Sequence, residues 1–224
     1  MIYSKFHRFY SRFLVRILCV FCLSAVSTQS FAISKVLILG DSLSAGYGLK
    51  QEQGWVHLLQ LAYKDKKQPI ELINASISGE TSGGALRRLD AILKAQQPDY
   101  VLIEIGGNDG LRGFPIKSLQ NNLLQLIENT RKFGAIPGVM TIQIPPNYGP
   151  RYANMFSGTF KKVTQQSNTK LLPFFMDNIA IDKEFMQADG IHPNEAAQPF
   201  IRDKMETEIN NWINTPKSQP KDSE

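Results

Sequence analysis

The feature that most constrains this chain is a repeated alternation. Short apolar runs, too short to be helices, are separated by longer stretches with apolar residues three and four apart. Runs at 35–39 (KVLIL), 69–74, 99–105 (DYVLIEI), 136–144 and 171–175 read as strands. Between and after them, helices are expected over 55–64, up to about residue 95 (Leu86, Leu89, Leu93), over 116–133 (Leu119, Leu123, Leu126), over 151–167 and over 194–212. Strands that are apolar along their whole length belong to a parallel sheet covered on both faces. The expected fold is therefore α/β, with three layers, α/β/α, around a central five-stranded parallel sheet. In such sheets ligands bind beyond the carboxyl ends of the strands. The chemistry should thus lie in the loops after strands one, two and three and in late loops that return to that edge.

The ends of the chain read differently. Residues 1–32 carry Lys5, Arg8, Arg12 and Arg16 and no acid, then an apolar run at 17–26, then Ser30-Phe31-Ala32. A basic start, an apolar run and small residues at −3 and −1 describe a secretory signal cleaved after Ala32. Residues 33–213 would then form a single domain, and 214–224 a polar C-terminal tail. The net charge of +5 belongs mostly to this first segment, so the remainder is close to neutral. A nucleic-acid surface gains no support from such a balance. No apolar run reaches the ~18 residues of a membrane span, so no stable membrane anchor is expected. No exposed apolar stripe demands a partner, and a monomer is the expectation.

The two cysteines, Cys19 and Cys22, both fall within residues 1–32. Beyond that point disulfides, thiolate nucleophiles and cysteine-ligated metals are excluded. Only His57 and His192 remain among histidines. A transition-metal site would need mostly carboxylates, so neither a metal nor a cofactor is expected.

Four loops are distinctive: Gly40-Asp41-Ser42-Leu43-Ser44, the polar stretch at 74–81, Gly106-Gly107-Asn108-Asp109-Gly110, and Asp189-Gly190-Ile191-His192-Pro193-Asn194. Hydrolysis of an ester or thioester needs a nucleophile, a base, a group that orients the base, and donors for the oxyanion. Ser42, at a strand-to-helix turn, can be the nucleophile. His192 can take its proton, and Asp189 can hold the imidazole. The backbone N–H groups of Ser42 and Gly79 and the amide of Asn108 can face the oxyanion. Each piece alone has an ordinary reading: Ser42 as a helix cap, and Asn108, Asp109-Gly110 and Asp189-Gly190 as turn residues. Together, in this order and at one expected sheet edge, they point to acyl transfer.

Other chemistries lack their motifs. Residue 44 is Ser, so the G-x-S-x-G elbow is absent, and neither G-x-x-x-x-G-K-[ST] nor G-x-G-x-x-G occurs. The sequon Asn74-Ala75-Ser76 lies at a strand end and reads as structural. His57 reads as a surface or packing residue.

The four blocks resemble the SGNH, or GDSL, hydrolases, with Ser42, Gly79, Asn108 and His192 at the name-giving positions and Asp189 completing a triad. The match extends through GDSLSAGY (40–47), NASISG (74–79), GGNDGLRG (106–113) and DGIHPN (189–194) and covers essentially 35–212. It implies the flavodoxin-like SGNH hydrolase fold and a bacterial enzyme, periplasmic or secreted. The small-molecule substrate it implies is an acyl ester or thioester: fatty acyl thioesters, lysophospholipids, and aryl or short-to-medium-chain esters. It implies further that the loop at 110–114 covers the bound acyl chain, so that Leu111 and Phe114 contact it and Ile144 lines the same groove. Ordinary packing is the alternative for these three. Two other functions stay open: a carbohydrate acetylesterase of the same family, and a lipid-binding module without catalysis.

Overall fold

The structure is a computed structural model that describes residues 33–214. The expected signal at 1–32 and nearly all of the tail at 214–224 lie outside the described residues. The elements run β1 (Ser34–Gly40), α1 (Ser42–Ala45), α2 (Trp55–Asp65), β2 (Ile70–Asn74), α3 (Ser82–Gln96), β3 (Tyr100–Glu104), α4 (Gly107–Leu111), α5 (Ile116–Lys132), β4 (Ile136–Met140), α6 (Pro150–Gln166), β5 (Lys170–Leu172) and α7 (Gln198–Ile213). Short 3₁₀ turns precede α2, α6 and α7 and cover 183–185.

All five strands are parallel, in the order β2-β1-β3-β4-β5. The chain steps outward from β1 to β2, then crosses back past β1 to β3 and continues the other way. Parallel crossovers are right-handed, so this reversal puts the connecting helices on opposite faces. The packing agrees: α2 pairs with α7, whereas α3, α5 and α6 pack side by side. The edge between β1 and β3 is the switch point where such sheets bind ligands.

Burial explains why the apolar runs are strands. Val36, Leu37, Ile38 and Leu39 are fully buried, as are Val101, Leu102 and Ile103 beside them. Removing each such side chain from water contributes about 1.5–3 kcal/mol. Trp212 of α7 lies flat enough on β4 that a Cβ on Gly138 would fall 2.7 Å from its ring, so glycine there makes room for the helix. Pro137 sits within β4 without harm, because β5 begins opposite Gly138 and leaves Pro137 outside that pairing.

Several boundaries differ from expectation, among them β5, which is Lys170–Leu172 and stops well short of residue 175. β4 ends at Met140, not near residue 144, because Ile142 and Ile144 leave the sheet to wall a cavity. The loop after β3 is not a plain turn: from Gly107 it coils into α4. The last helix begins with a 3₁₀ turn at Glu195–Ala197, capped by the Asn194 side chain.

Candidate active site

Ser42 is the first residue of α1. Asp41 caps that helix, its Oδ1 accepting from the Leu43 N–H at 3.1 Å. Gly46, left-handed at φ 73°, ends it after four residues. Ser42 thus stands just past the carboxyl end of β1, at the head of the helix, where its side chain faces the sheet edge.

The motif's leading glycine has a physical reason. A Cβ on Gly40 would lie 2.4 Å from Glu104 Oε2 and 2.6 Å from Ser76 Oγ. Glu104, at the end of β3, is fully buried. Its Oε2 accepts from Ser44 Oγ at 2.6 Å and, at 3.4 Å, from the Asp41 N–H. Burial, aided by the charge of Asp41, holds the Glu104 carboxyl well above the usual carboxylate range. Asp41 is itself buried, and its carboxyl is pushed up to about 6. Burial is the main cause there and Asp109 adds to it, against the lowering effects of the Leu43 N–H, His192 and Asn108.

His192 reaches this edge from the other end of the chain. Its Nε2 lies 2.9 Å from Ser42 Oγ, and its Nδ1 lies 2.7 Å from Asp189 Oδ2. Asp189 Oδ1 accepts from the N–H groups of Ile191, at 2.9 Å, and His192, at 3.0 Å. Burial alone would raise the Asp189 carboxyl, but these bonds and the ring hold it down at about 2. The Tyr47 ring lies 4.4 Å from the imidazole, centroid to centroid, tilted by 37°.

The second and third loops close the site. Asn74 ties the second loop to the serine helix, its Nδ2 donating to Ser44 O at 2.8 Å. Gly79 is left-handed at φ 79°, and its carbonyl accepts from Arg112 Nη2 at 3.0 Å. Arg88 holds this loop at two points, donating to Ala75 O at 2.6 Å and pairing with Glu80 at 2.7 Å. Asn108, in α4, makes a long 3.5 Å contact from Nδ2 to Asp41 Oδ2. Among the described residues, nothing accepts from the N–H of Ser42 or of Gly79, so both can serve a ligand. The neighbouring Asp109 is more than a turn residue. It is buried, and it binds both the N–H (2.8 Å) and the Oγ (2.5 Å) of Ser82 at the head of α3.

Ser42 opens into a cavity of about 350 Å³. That lies within the usual range for a small-molecule site. Leu111, Ile142, Ile144, Phe174, Met176 and Met186 are among its apolar lining, and Asn108 lines it beside Ser42. Leu111 and Ile144 are thus at the cavity, but Phe114 is not. Past Gly113 (φ 66°) its N–H bonds back to Asp109 O at 2.9 Å, and the ring, 42% exposed, leads into α5 outside the cavity. The α4 segment is tethered from α6 and its approach. Tyr148 and Tyr152 donate to the carbonyls of Leu111 and Gly110, each at 3.2 Å. The wall contributed by 174–191 had only an apolar pattern as its signal, and Glu104 only the oddity of an acid ending an apolar strand. His57 lies on α2, exposed, with no part in the site.

A serine hydrogen-bonded to a histidine beside an apolar chamber, at the switch point of a parallel sheet, suits an α/β enzyme that hydrolyses esters. Comparison with known proteins agrees and narrows the class. The chain belongs to the GDSL-like lipase/acylhydrolase family, whose sequence model matches residues 38–198. It is 43% identical over 196 residues to an arylesterase of Vibrio mimicus, covering 88% of this chain and 96% of that protein. It is 41% identical over 214 residues to thioesterase 1/protease 1/lysophospholipase L1 of Escherichia coli K12, covering 96% of this chain and 98% of that one. The crystal structure of the psychrotrophic esterase EstA from Pseudoalteromonas, inhibited by monoethylphosphonate, superposes with a TM-score of 0.80. That pair shares 54% identity over 81% of this chain and 100% of that one.

Proposed function

We propose that Ser42 is the nucleophile of a serine esterase and thioesterase, with His192 as its base and Asp189 as the residue that orients the imidazole. The observation that carries this reading is the unbroken line of hydrogen bonds Asp189–His192–Ser42 opening onto an apolar cavity. His192 takes the Ser42 proton as Oγ attacks the acyl carbonyl. The oxyanion is met by the N–H groups of Ser42 and Gly79 and by Asn108 Nδ2, and free N–H groups at the first two positions support this. His192 then protonates the departing alcohol or thiol, and water releases the acyl group from Ser42 by the same steps in reverse order.

The acyl chain occupies the cavity, against Leu111, Ile142, Ile144, Phe174 and Met176. An apolar wall that takes the acyl chain favours aryl esters, short-to-medium-chain esters, fatty acyl thioesters and lysophospholipids over acetylated sugars, whose two-carbon acyl group would bury little apolar surface there. The arylesterase and the thioesterase 1/lysophospholipase L1 among the relatives support the same range. Residues 33–213 act as one hydrolase domain, monomeric, after residues 1–32 have directed its export to the periplasm or medium.

The test pairs the chain with its Ser42→Ala variant on p-nitrophenyl esters from C2 to C16, palmitoyl-CoA and lysophosphatidylcholine. Activity that disappears in a folded Ser42→Ala supports the assignment; activity that survives removes it. Ile33 as the first residue of protein recovered from the periplasm would support export and cleavage.

A further inference from the structure

Gln187 takes no part in the Asp189–His192–Ser42 line, yet it joins the loops that carry the line's two ends. Its Nε2 donates to Tyr47 O at 2.7 Å, on the serine side, and to Pro193 O at 3.0 Å, on the histidine side. Its backbone N–H donates to His192 O at 2.8 Å, and its carbonyl accepts from Gly190 at 3.0 Å. One primary amide therefore uses both of its protons to span two segments about 140 residues apart in sequence.

The serine side is shaped to receive it. Tyr47 N–H donates to Ser42 O at 3.1 Å, so Tyr47 is fixed to the nucleophile's own residue. The Tyr47 ring packs on the imidazole. Gly48, at φ 76°, lets the carboxamide in: a Cβ there would fall 2.4 Å from Gln187 Oε1. Ser42, Tyr47, Gln187 and His192 thus close a ring, and the 2.9 Å Ser42–His192 contact is one of its sides. The residue beside Gln187, Met186, lines the acyl cavity and bridges to Pro193.

We propose that Gln187 is a positioning residue: its carboxamide clasps the Tyr47 and Pro193 carbonyls and thereby sets the separation of Ser42 Oγ from His192 Nε2. This rests on the assignment of Ser42 and His192 above. Proton transfer to a base depends steeply on that separation, and a misplacement near 1 Å can cost ~10² in rate. Neither the cavity nor the oxyanion donors touch the amide, so substrate binding should not feel its loss.

The experiment uses Gln187→Ala and Gln187→Met, the second of which keeps length and packing while removing both donors. Each is assayed well below its Tm on C2 and C10 p-nitrophenyl esters, beside Ser42→Ala. A small organophosphate, diethyl p-nitrophenyl phosphate, reports Ser42 nucleophilicity without filling the cavity. The expected result is a kcat lowered ~10–100-fold with KM within about twofold, an equal loss on both esters, and a parallel slowing of phosphorylation. A folded Gln187→Met with kcat within about threefold of the parent overturns the proposal. So does a loss confined to the C10 ester, which would mean that the variant acts through Met186 and the cavity wall. If Ser42→Ala keeps its activity, the assignment of the nucleophile fails as well. An inactive Ser42→Ala beside an undiminished Gln187→Met sinks the clasp alone.

Discussion

Ser44 Oγ donates a 2.6 Å hydrogen bond to Glu104 Oε2, two residues from the proposed nucleophile and wholly out of contact with water on the glutamate side. The other oxygen of Glu104, Oε1, is buried without a partner among the described residues. A buried carboxyl so placed, next to a second one at Asp41, is better accommodated protonated than charged.

A pH dependence of stability follows. Asp41, pushed up to about 6, and Glu104, raised well above its ordinary value, bind protons more tightly folded than unfolded. Their contribution to folding is complete below about pH 4 and is lost as pH rises through 6 and beyond. Glu104→Gln keeps an acceptor for Ser44 and cannot ionise. Its Tm should gain on that of the parent as pH goes from 4 to 8, by about 3–6 °C at the upper end. Calorimetric scans across this range check it, and a gap that does not change with pH would contradict it.

Asp189 behaves with the opposite sign. Its carboxyl, held at about 2, favours the folded state above about pH 4, and that contribution fades as pH falls towards 2. Asp189→Asn should therefore show a small Tm deficit at pH 6 that closes towards pH 3. Its turnover should fall by ~10⁴, since an amide can present its N–H to the ring and hold the wrong tautomer.

Asn108→Ala removes one proposed oxyanion donor. Turnover should drop by ~10²–10³, roughly 3–4 kcal/mol of transition-state stabilisation, while circular dichroism and Tm stay near the parent's. A loss below about threefold would take Asn108 out of the hole.

Met176→Trp puts bulk into the cavity wall. The ratio of kcat/KM for C10 over C2 esters should fall about tenfold or more, as the longer chain competes with the indole. Phe114→Ala should leave this ratio as it is, because Phe114 does not line the cavity.

The readable parts of this chain were those in which the information is local. Five apolar runs predict five strands, and four short loops name the residues that meet at one edge. What could not be read is held by distant partners. Glu104 looks like one more strand residue until Ser44, sixty positions away, is found bonded to it. Asp109 passes for a turn residue until it binds Ser82. Ile142 and Ile144 extend an apolar run as a strand would, and only the third dimension shows that they have left the sheet. Phe114 is apolar and close in sequence to Leu111, but the left-handed turn at Gly113 separates their surroundings.

Ser42 and His192 stand 150 positions apart. Ser42 emerges early on the ribosome, and His192 only after every strand of the sheet has been made. On the proposed assignment, any fragment that stops short of the last loop lacks its base and is chemically silent. Under that assignment hydrolysis begins only once the first strand and the final loop have met, so the onset of ester cleavage in a refolding reaction times the closure of the molecule as directly as any spectroscopic probe.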